Sequence, residues 1–438
     1  MYKQTSKEML DFIKKSPSVF HAVESIKSKL VKEGFVELLE SRKWNLEKGK
    51  SYFVTKNLSS IIAFKLGDNL NDYSFNIVAS HGDSPSFKIK DNYKIESLGK
   101  YVQLNTEKYG GMIYSTWFDR PLSIAGRVIV KNEDTIEAKL VNIDKDLVLI
   151  PNLAIHMNKE ANSNMKYNEQ VDLLPLYGLI GEDSNNLLDE VSKFSNIDKN
   201  NILSTDLFLY NRMEPTIWGS NEEFISSSRL DNLQCAYATL EGFIKGNNQN
   251  AVNVYCCFDN EEVGSGTKQG AASTFLEDAL KRINFSLGKN DEDYLCALAS
   301  SFMVSADNAH AVHPNHPEKS DPTNRVFMNE GIVIKHNANQ KYTTDGVSSA
   351  AFQLLCEKAG VPVQHYSNRS DIAGGSTLGN IASLNVSINT IDIGLAQLAM
   401  HSSFETAGVN DTYYMIKAIE EFFNYRFQET ASGILNIK

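Results

Sequence analysis

The chain has 438 residues, enough for two domains or for one large domain carrying an insertion. Its 42% hydrophobic and 22% charged residues are ordinary for a globular protein, and a net charge of −11 argues against nucleic acid or an anionic membrane surface as partner. No apolar stretch approaches the ~18 residues of a membrane span, and the start, Met1-Tyr-Lys-Gln-Thr-Ser-Lys-Glu, lacks an apolar signal core, so the expected location is the cytoplasm. Cys235, Cys256, Cys257, Cys296 and Cys356 form no Cys-x-x-Cys pair, and several lie in apolar runs; they read as reduced core residues.

In chain order, helices are predicted near Ser6 to Lys14 and near His21 to Glu33; in the second, Ala22, Ile26, Leu30 and Val31 share a face. Strands are predicted at Ile61 to Leu66 and at Tyr73 to Ser80, the latter running into His81-Gly-Asp-Ser-Pro85. The texture then changes to short alternating segments such as Lys100 to Leu104 and Ala125 to Val130, with Asn, Asp and Lys between them. A β-rich module, residues 92–204, is expected to interrupt an α/β domain made of residues 1–91 and 205–438.

From Asp206 the α/β rhythm returns. A helix is predicted from Asp231 to Lys245, an unbroken apolar strand from Ala251 to Phe258, and helices from Ala272 to Arg282 and from Asp291 to Ser301. Strands at Phe302 to Ser305 and Gly331 to His336 follow, then a helix from Thr344 to Lys358 ending before Gly360. A strand from Val361 to Tyr366, a turn at Gly374-Gly-Ser-Thr377, a strand from Val386 to Ile391 and a helix from Thr412 to Phe427 complete the chain. This alternation implies a mixed or parallel sheet covered by helices on both faces.

The organising stretch is Asn253-Val-Tyr-Cys-Cys-Phe-Asp-Asn-Glu-Glu-Val-Gly-Ser-Gly266. Ligands of open α/β sheets sit beyond the carboxyl ends of the strands, so Glu261 and Glu262 stand either at a site or in a solvated acidic loop. His81 and Asp83, one residue apart, suit a carboxylate steadying a metal-bound imidazole, or a surface pair. Asp231 precedes an apolar helix, where an N-cap is the simpler reading. Asp307 ends an apolar run as a loop residue would, and His401 follows another as a packed histidine would. His310, His313 and His316 share a proline-broken loop without helical spacing and rank below these. Jointly, His81, Asp231, Glu262, Asp307 and His401 are an oxygen and nitrogen donor set that can hold two divalent ions if one carboxylate bridges. Zinc suits it best; manganese or cobalt would also accept it. Glu261 is then free to act as general base.

Seven stretches carry a resemblance to a known family. They are Ser80-His-Gly-Asp-Ser-Pro85, Trp117-Phe-Asp-Arg-Pro-Leu-Ser-Ile-Ala-Gly-Arg127, Pro151-Asn-Leu-Ala-Ile-His156, Ser228-Arg-Leu-Asp-Asn232, Phe258-Asp-Asn-Glu-Glu-Val-Gly-Ser265, Asp307-Asn-Ala-His-Ala-Val-His-Pro-Asn315 and Gln397-Leu-Ala-Met-His401. In order and over almost the whole chain, they resemble the aspartyl aminopeptidase family of co-catalytic zinc exopeptidases. The resemblance implies a phosphorylase/hydrolase-like α/β catalytic domain with a mostly parallel sheet, interrupted by a β-rich dimerisation domain. It implies that His81 and Asp307 hold one metal, that Glu262 and His401 hold the other, and that Asp231 bridges them. Asp83 would orient His81, Glu261 would shuttle the proton, and the Asp231-Asn232 peptide would be cis. His156 would reach a neighbouring subunit's active site, while Lys335 and Tyr342 would line the pocket for the first side chain. The implied activity is release of the N-terminal residue of peptides, with an Asp or Glu preference open against neutral or broad specificity. Assembly into dimers and a tetrahedral dodecamer is implied as well. A deacylase or carboxypeptidase with the same ligand logic, or a scaffold that has lost catalysis, are the rivals.

Overall fold

A computed structural model describes residues 1–181 and 186–438. The strand Val252–Phe258 is buried along its whole length, and its side chains alternate between two cores. Tyr255 and Cys257 pack with Ile13, Leu233, Phe352 and Phe422, whereas Val254, Cys256 and Phe258 pack with Phe275, Leu280 and Leu378. A strand wet on neither face needs helices on both sides, and the chain supplies them. Tyr2–Lys14, Val19–Lys32, Leu230–Lys245, Gly346–Ala359 and Asp411–Asn424 cover one face; Phe275–Ser286, Asp291–Ala299 and Leu378–Ala382 cover the other. Four of the five cysteines are buried as expected, while Cys296 is exposed.

Among the described residues the largest sheet has nine strands, in the order Val36–Leu38, Ser51–Lys56, Ser60–Leu66, Val252–Phe258, Phe75–His81, Phe302–Ala306, Asn389–Gly394, Ile332–His336 and Val363–Ser367. It is mixed. Val252–Phe258, Phe75–His81, Phe302–Ala306 and Asn389–Gly394 form a parallel run at its centre. Ser60–Leu66 lies antiparallel to both of its neighbours, and Ile332–His336 lies antiparallel to Asn389–Gly394.

A separate six-stranded antiparallel sheet stands where the β-rich region is expected, though its outer strands in sequence run past the expected bounds of 92–204. Its first strand is Ser86–Ser97 and its last is Ile202–Asn211, and its core gathers Phe87, Leu104, Trp117, Ile124, Val128 and Leu207. A third sheet of short strands pairs Phe224–Ser227 with Glu405–Gly408, setting Ser227 opposite Glu405. The last helix stops at Asn424, short of the predicted Phe427. Phe427 instead opens a strand and stacks on Phe302 at 4.6 Å between ring centroids. Among the described residues no helix is long and apolar enough to cross a membrane.

Candidate active site

Three adjacent parallel strands end side by side, and their carboxyl ends deliver most of the polar cluster. His81 is the last residue of Phe75–His81, Asp307 directly follows Phe302–Ala306, and Glu261 and Glu262 form a short turn after Val252–Phe258. Asp231 enters at the start of Leu230–Lys245, where Arg229 is left-handed, Asp231 and Asn232 are non-helical, and the peptide between them is cis. The N-cap position falls to Arg229, and Asp231 Oδ1 has no hydrogen-bond partner, so the N-cap reading of Asp231 does not hold. His401 sits at φ +66° in the turn between Ala396–Leu398 and Glu405–Gly408.

These elements bring all five predicted donors together. His81 Nε2 is 3.6 Å from Asp231 Oδ1 and 3.6 Å from Asp307 Oδ1. His401 Nε2 is 3.3 Å from Asp231 Oδ2 and 3.4 Å from Glu262 Oε2. Asp231 therefore faces a different imidazole with each oxygen. Glu261 Oε2 lies beside the set, 3.9 Å from His81 Nε2.

Burial alone would neutralise His81, but the Asp231, Asp307 and Asp83 carboxylates hold its pKa well above the ordinary imidazole value. His401 is also raised, because Asp231 outweighs its desolvation. Burial pushes Glu261 up to about 8 against the pull of His81, with Asp307, Asp83 and Asp231 adding to the rise. Burial and the Asp231 charge raise Glu262. Asp231 goes the other way: desolvation is overcome by His401 and His81, and it stays ionised. Asp231 Oδ1 and Glu262 Oε1 are buried without a hydrogen-bond donor. With His81 these residues offer three ligand atoms within 4.8 Å of one another. Orphaned carboxylate oxygens beside imidazole nitrogens suit a divalent cation, which satisfies them where no N–H does.

The surrounding contacts fix these groups. His81 Nδ1 is 3.1 Å from the Asp83 carbonyl and 3.4 Å from its carboxylate. Asp83 accepts the backbone N–H of Glu261 at 3.2 Å and of Glu262 at 3.1 Å, and the Tyr109 hydroxyl at 2.7 Å. Glu405, buried, accepts the Asp231 N–H at 3.0 Å and the His401 N–H at 2.8 Å. Sequence reasoning missed Tyr109 and Glu405. The four-residue spacing from His401 to Glu405 was the one local hint.

Of the predicted substrate-side residues, Lys335 is buried and does not end its strand in solvent. Its Nζ lies 3.7 Å from Asp307 Oδ2 and 5.5 Å from the centroid of the Tyr342 ring. Burial opposes its charge, yet Asp307 foremost lifts it to about 12, so it remains an ammonium. His156 stands apart on an exposed turn of the β-rich region. Pro151, Leu153 and Ile155 around it line a surface hollow with Phe118 and Tyr167. His313 and His316 pair their rings at 5.2 Å on an exposed loop, with His316 3.3 Å from Glu318, and do not join the cluster.

Imidazoles and carboxylates gathered beyond the carboxyl edge of a parallel run, with a spare carboxylate beside them, define a metal-dependent hydrolase. The model of one family, the aminopeptidase I zinc metalloproteases (M18), matches residues 12–423. The chain belongs to that family and is a metallo-aminopeptidase, a hydrolase acting on peptides. It is 52% identical to a probable M18 family aminopeptidase 2 of Clostridium novyi, over 95% of this chain and 98% of that one. It is 37% identical to the aspartyl aminopeptidase of Dictyostelium discoideum, over 96% of each. The solved structure of the S. cerevisiae mApe1 dodecamer superposes with a TM-score of 0.85 at 27% identity, over 96% of this chain and 97% of that one.

Proposed function

We propose that this aminopeptidase works with two divalent cations, zinc by best fit and manganese or cobalt as acceptable substitutes. His81 and Asp307 would hold one and Glu262 and His401 the other, with Asp231 shared between them. The observation that carries this reading is the split of Asp231, with Oδ1 at 3.6 Å from one imidazole and Oδ2 at 3.3 Å from the other. Cations held there would supply Lewis-acid polarisation of the scissile carbonyl and acidification of water.

The chain's own residues do the rest. Glu261 takes a proton from the attacking water and returns it to the amine nitrogen as the C–N bond breaks. Asp83 orients His81. Lys335, over Tyr342, receives an Asp or Glu side chain at the substrate's N-terminus through a charge-assisted bond. The name of the Dictyostelium relative supports that preference. His156 contacts substrate in a neighbouring subunit, across an interface built by residues 92–204, while residues 1–91 and 205–438 form the catalytic domain. Dimers and a tetrahedral dodecamer are the proposed assembly, supported by the S. cerevisiae dodecamer. The free, mostly buried cysteines support a reducing, cytoplasmic setting.

Aspartyl and leucyl p-nitroanilides, each with a free and an acetylated N-terminus, test this with and without chelator. Release from free N-termini only, abolished by chelator and restored by zinc, is expected. Glu261→Gln should keep its metal and lose about 10²–10⁴-fold in kcat. Near-normal turnover would remove Glu261 from the mechanism, and faster leucyl than aspartyl release would move the specificity to neutral residues.

A further inference from the structure

The segment after Tyr101–Tyr109 leaves the β-rich sheet and runs along the metal-ligand cluster, touching a different part of it at each step. At its start, Tyr109 donates to Asp83 Oδ2 at 2.7 Å and accepts from Asn260 Nδ2 at 2.9 Å. One residue on, Gly110 sits at φ +76°, where a side chain is strained, and a Cβ there would press on Glu262 Cβ at 3.0 Å. Ile113 N–H donates to the His401 carbonyl at 3.0 Å. Thr116 Oγ1 accepts the Ser403 N–H at 2.9 Å, and the Ser403 hydroxyl donates back to the Thr116 carbonyl.

The other side of this segment is tied to Asn152, Tyr167 and Glu169, which flank the turn carrying His156 in sequence. Tyr114 donates to Glu169 at 2.6 Å and accepts from Lys108 at 3.0 Å. Phe118 packs on Tyr167 with ring centroids 4.9 Å apart, and Asp119 accepts both the backbone and the side-chain N–H of Asn152. A left-handed, non-glycine residue such as His401 persists only where its surroundings over-determine it. Ile113 on its carbonyl and Glu405 on its N–H do so.

We infer that residues 109–119 are a strap through which the β-rich sheet sets the positions of the metal ligands, with Tyr109, Gly110 and Thr116 as positioning residues. Tyr109 acts on His81 through Asp83, Gly110 gives Glu262 its place, and Thr116 holds the loop bearing His401. A displacement of the 150–170 region, as on docking a second subunit, would then be felt at the metal centre. This inference rests on the ligand assignment proposed above.

The test is zinc titration by calorimetry of chelator-stripped full-length protein, together with the visible spectrum of the cobalt-loaded form. Tyr109→Phe and Thr116→Val each delete one hydrogen-bonding atom and should leave the melting temperature near wild type. Partners that orient metal ligands are typically worth 10–100-fold in metal affinity or activity, so each variant should bind zinc about tenfold more weakly. Each should also shift the cobalt spectrum and lower kcat while KM stays within about twofold. Gly110→Ala should be the most severe; if it does not fold, the other two decide. Wild-type zinc affinity and cobalt spectrum in both Tyr109→Phe and Thr116→Val would overturn the strap. His401→Ala is the separate control on the ligand assignment. If it retains two zinc ions, that assignment fails, whatever the strap variants do.

Discussion

Lys335 shows how one buried charge can serve two ends. Its ammonium pairs with the Asp307 oxygen that does not face His81, and in the proposed mechanism it would also receive a substrate carboxylate. Lys335→Met removes both roles, but they separate in the kinetics. Loss of the Asp307 contact lowers activity on every substrate, whereas loss of a carboxylate partner lowers activity on acidic residues only. A hydrogen bond to a charged group contributes about 1.5–3 kcal/mol. The ratio of kcat/KM for aspartyl over leucyl substrate should therefore fall by at least about tenfold; an unchanged ratio would take Lys335 out of the specificity pocket. At this scale much of the site was legible in the sequence. Taken singly, Asp231, Asp307 and His401 read as a cap, a loop residue and a packed histidine; it is as one donor set with His81 and Glu262, beside Glu261 and in stretches that resemble the family, that they point to metal and proton chemistry. Glu405 and Tyr109 were not legible, because their contacts exist only after folding. A tyrosine ending a long strand carries no local mark, a glutamate entering a short one carries only its four-residue spacing from His401, and their hydrogen-bond partners lie on other elements.

Asp411 illustrates how one element depends on another. It opens the helix Asp411–Asn424, and its carboxylate accepts the N–H groups of Asn329 at 2.7 Å and Gly331 at 3.1 Å, pinning the approach to the strand that carries Lys335. Burial pushes its pKa up to about 7 despite those donors, with Glu330 adding to the rise. The folded state thus keeps a proton that the unfolded chain releases at its ordinary carboxylate pKa. That contribution to stability is full at low pH and is lost as pH rises through about 7. Relative to Asp411→Asn, which cannot titrate, the wild type should lose stability between about pH 4 and about pH 7 in denaturant melts and change little above that. A pH-independent difference would refute it. The main helices and strands were readable because their apolar periods are long. Direction was not: an apolar run such as Ile61 to Leu66 looks the same parallel or antiparallel, so the sheet's mixed pairing emerged only from the fold. Strands as short as Phe224–Ser227 and Glu405–Gly408 lie below the length at which alternation can be counted.

On the whole molecule, the exposed apolar side chains around His156 need a partner. Leu153, Ile155, Met157 and Val171 expose 56%, 50%, 76% and 68% of their surface, and all but Met157 line one hollow. Clustered apolar exposure of this kind marks a surface that associates. An interface closed by a two-fold axis would place each protomer's His156 toward its partner, and two damaged protomers could then repair one another. His156→Ala protomers keep Glu261 but supply no histidine; Glu261→Gln protomers supply the histidine but keep no base. In an equimolar mixture, dissociated and reassembled at random, half of the dimers combine the two kinds. Each mixed dimer holds one site with both defects and one with neither. About a quarter of wild-type activity should return from two nearly inactive parents. If His156 served its own chain, every site in the mixture would lack either the histidine or the base, and reassembly would restore nothing. A rise in activity on reassembly that follows the mixing ratio, with its maximum at equal amounts, would establish donation between subunits without requiring the size of the final assembly to be known.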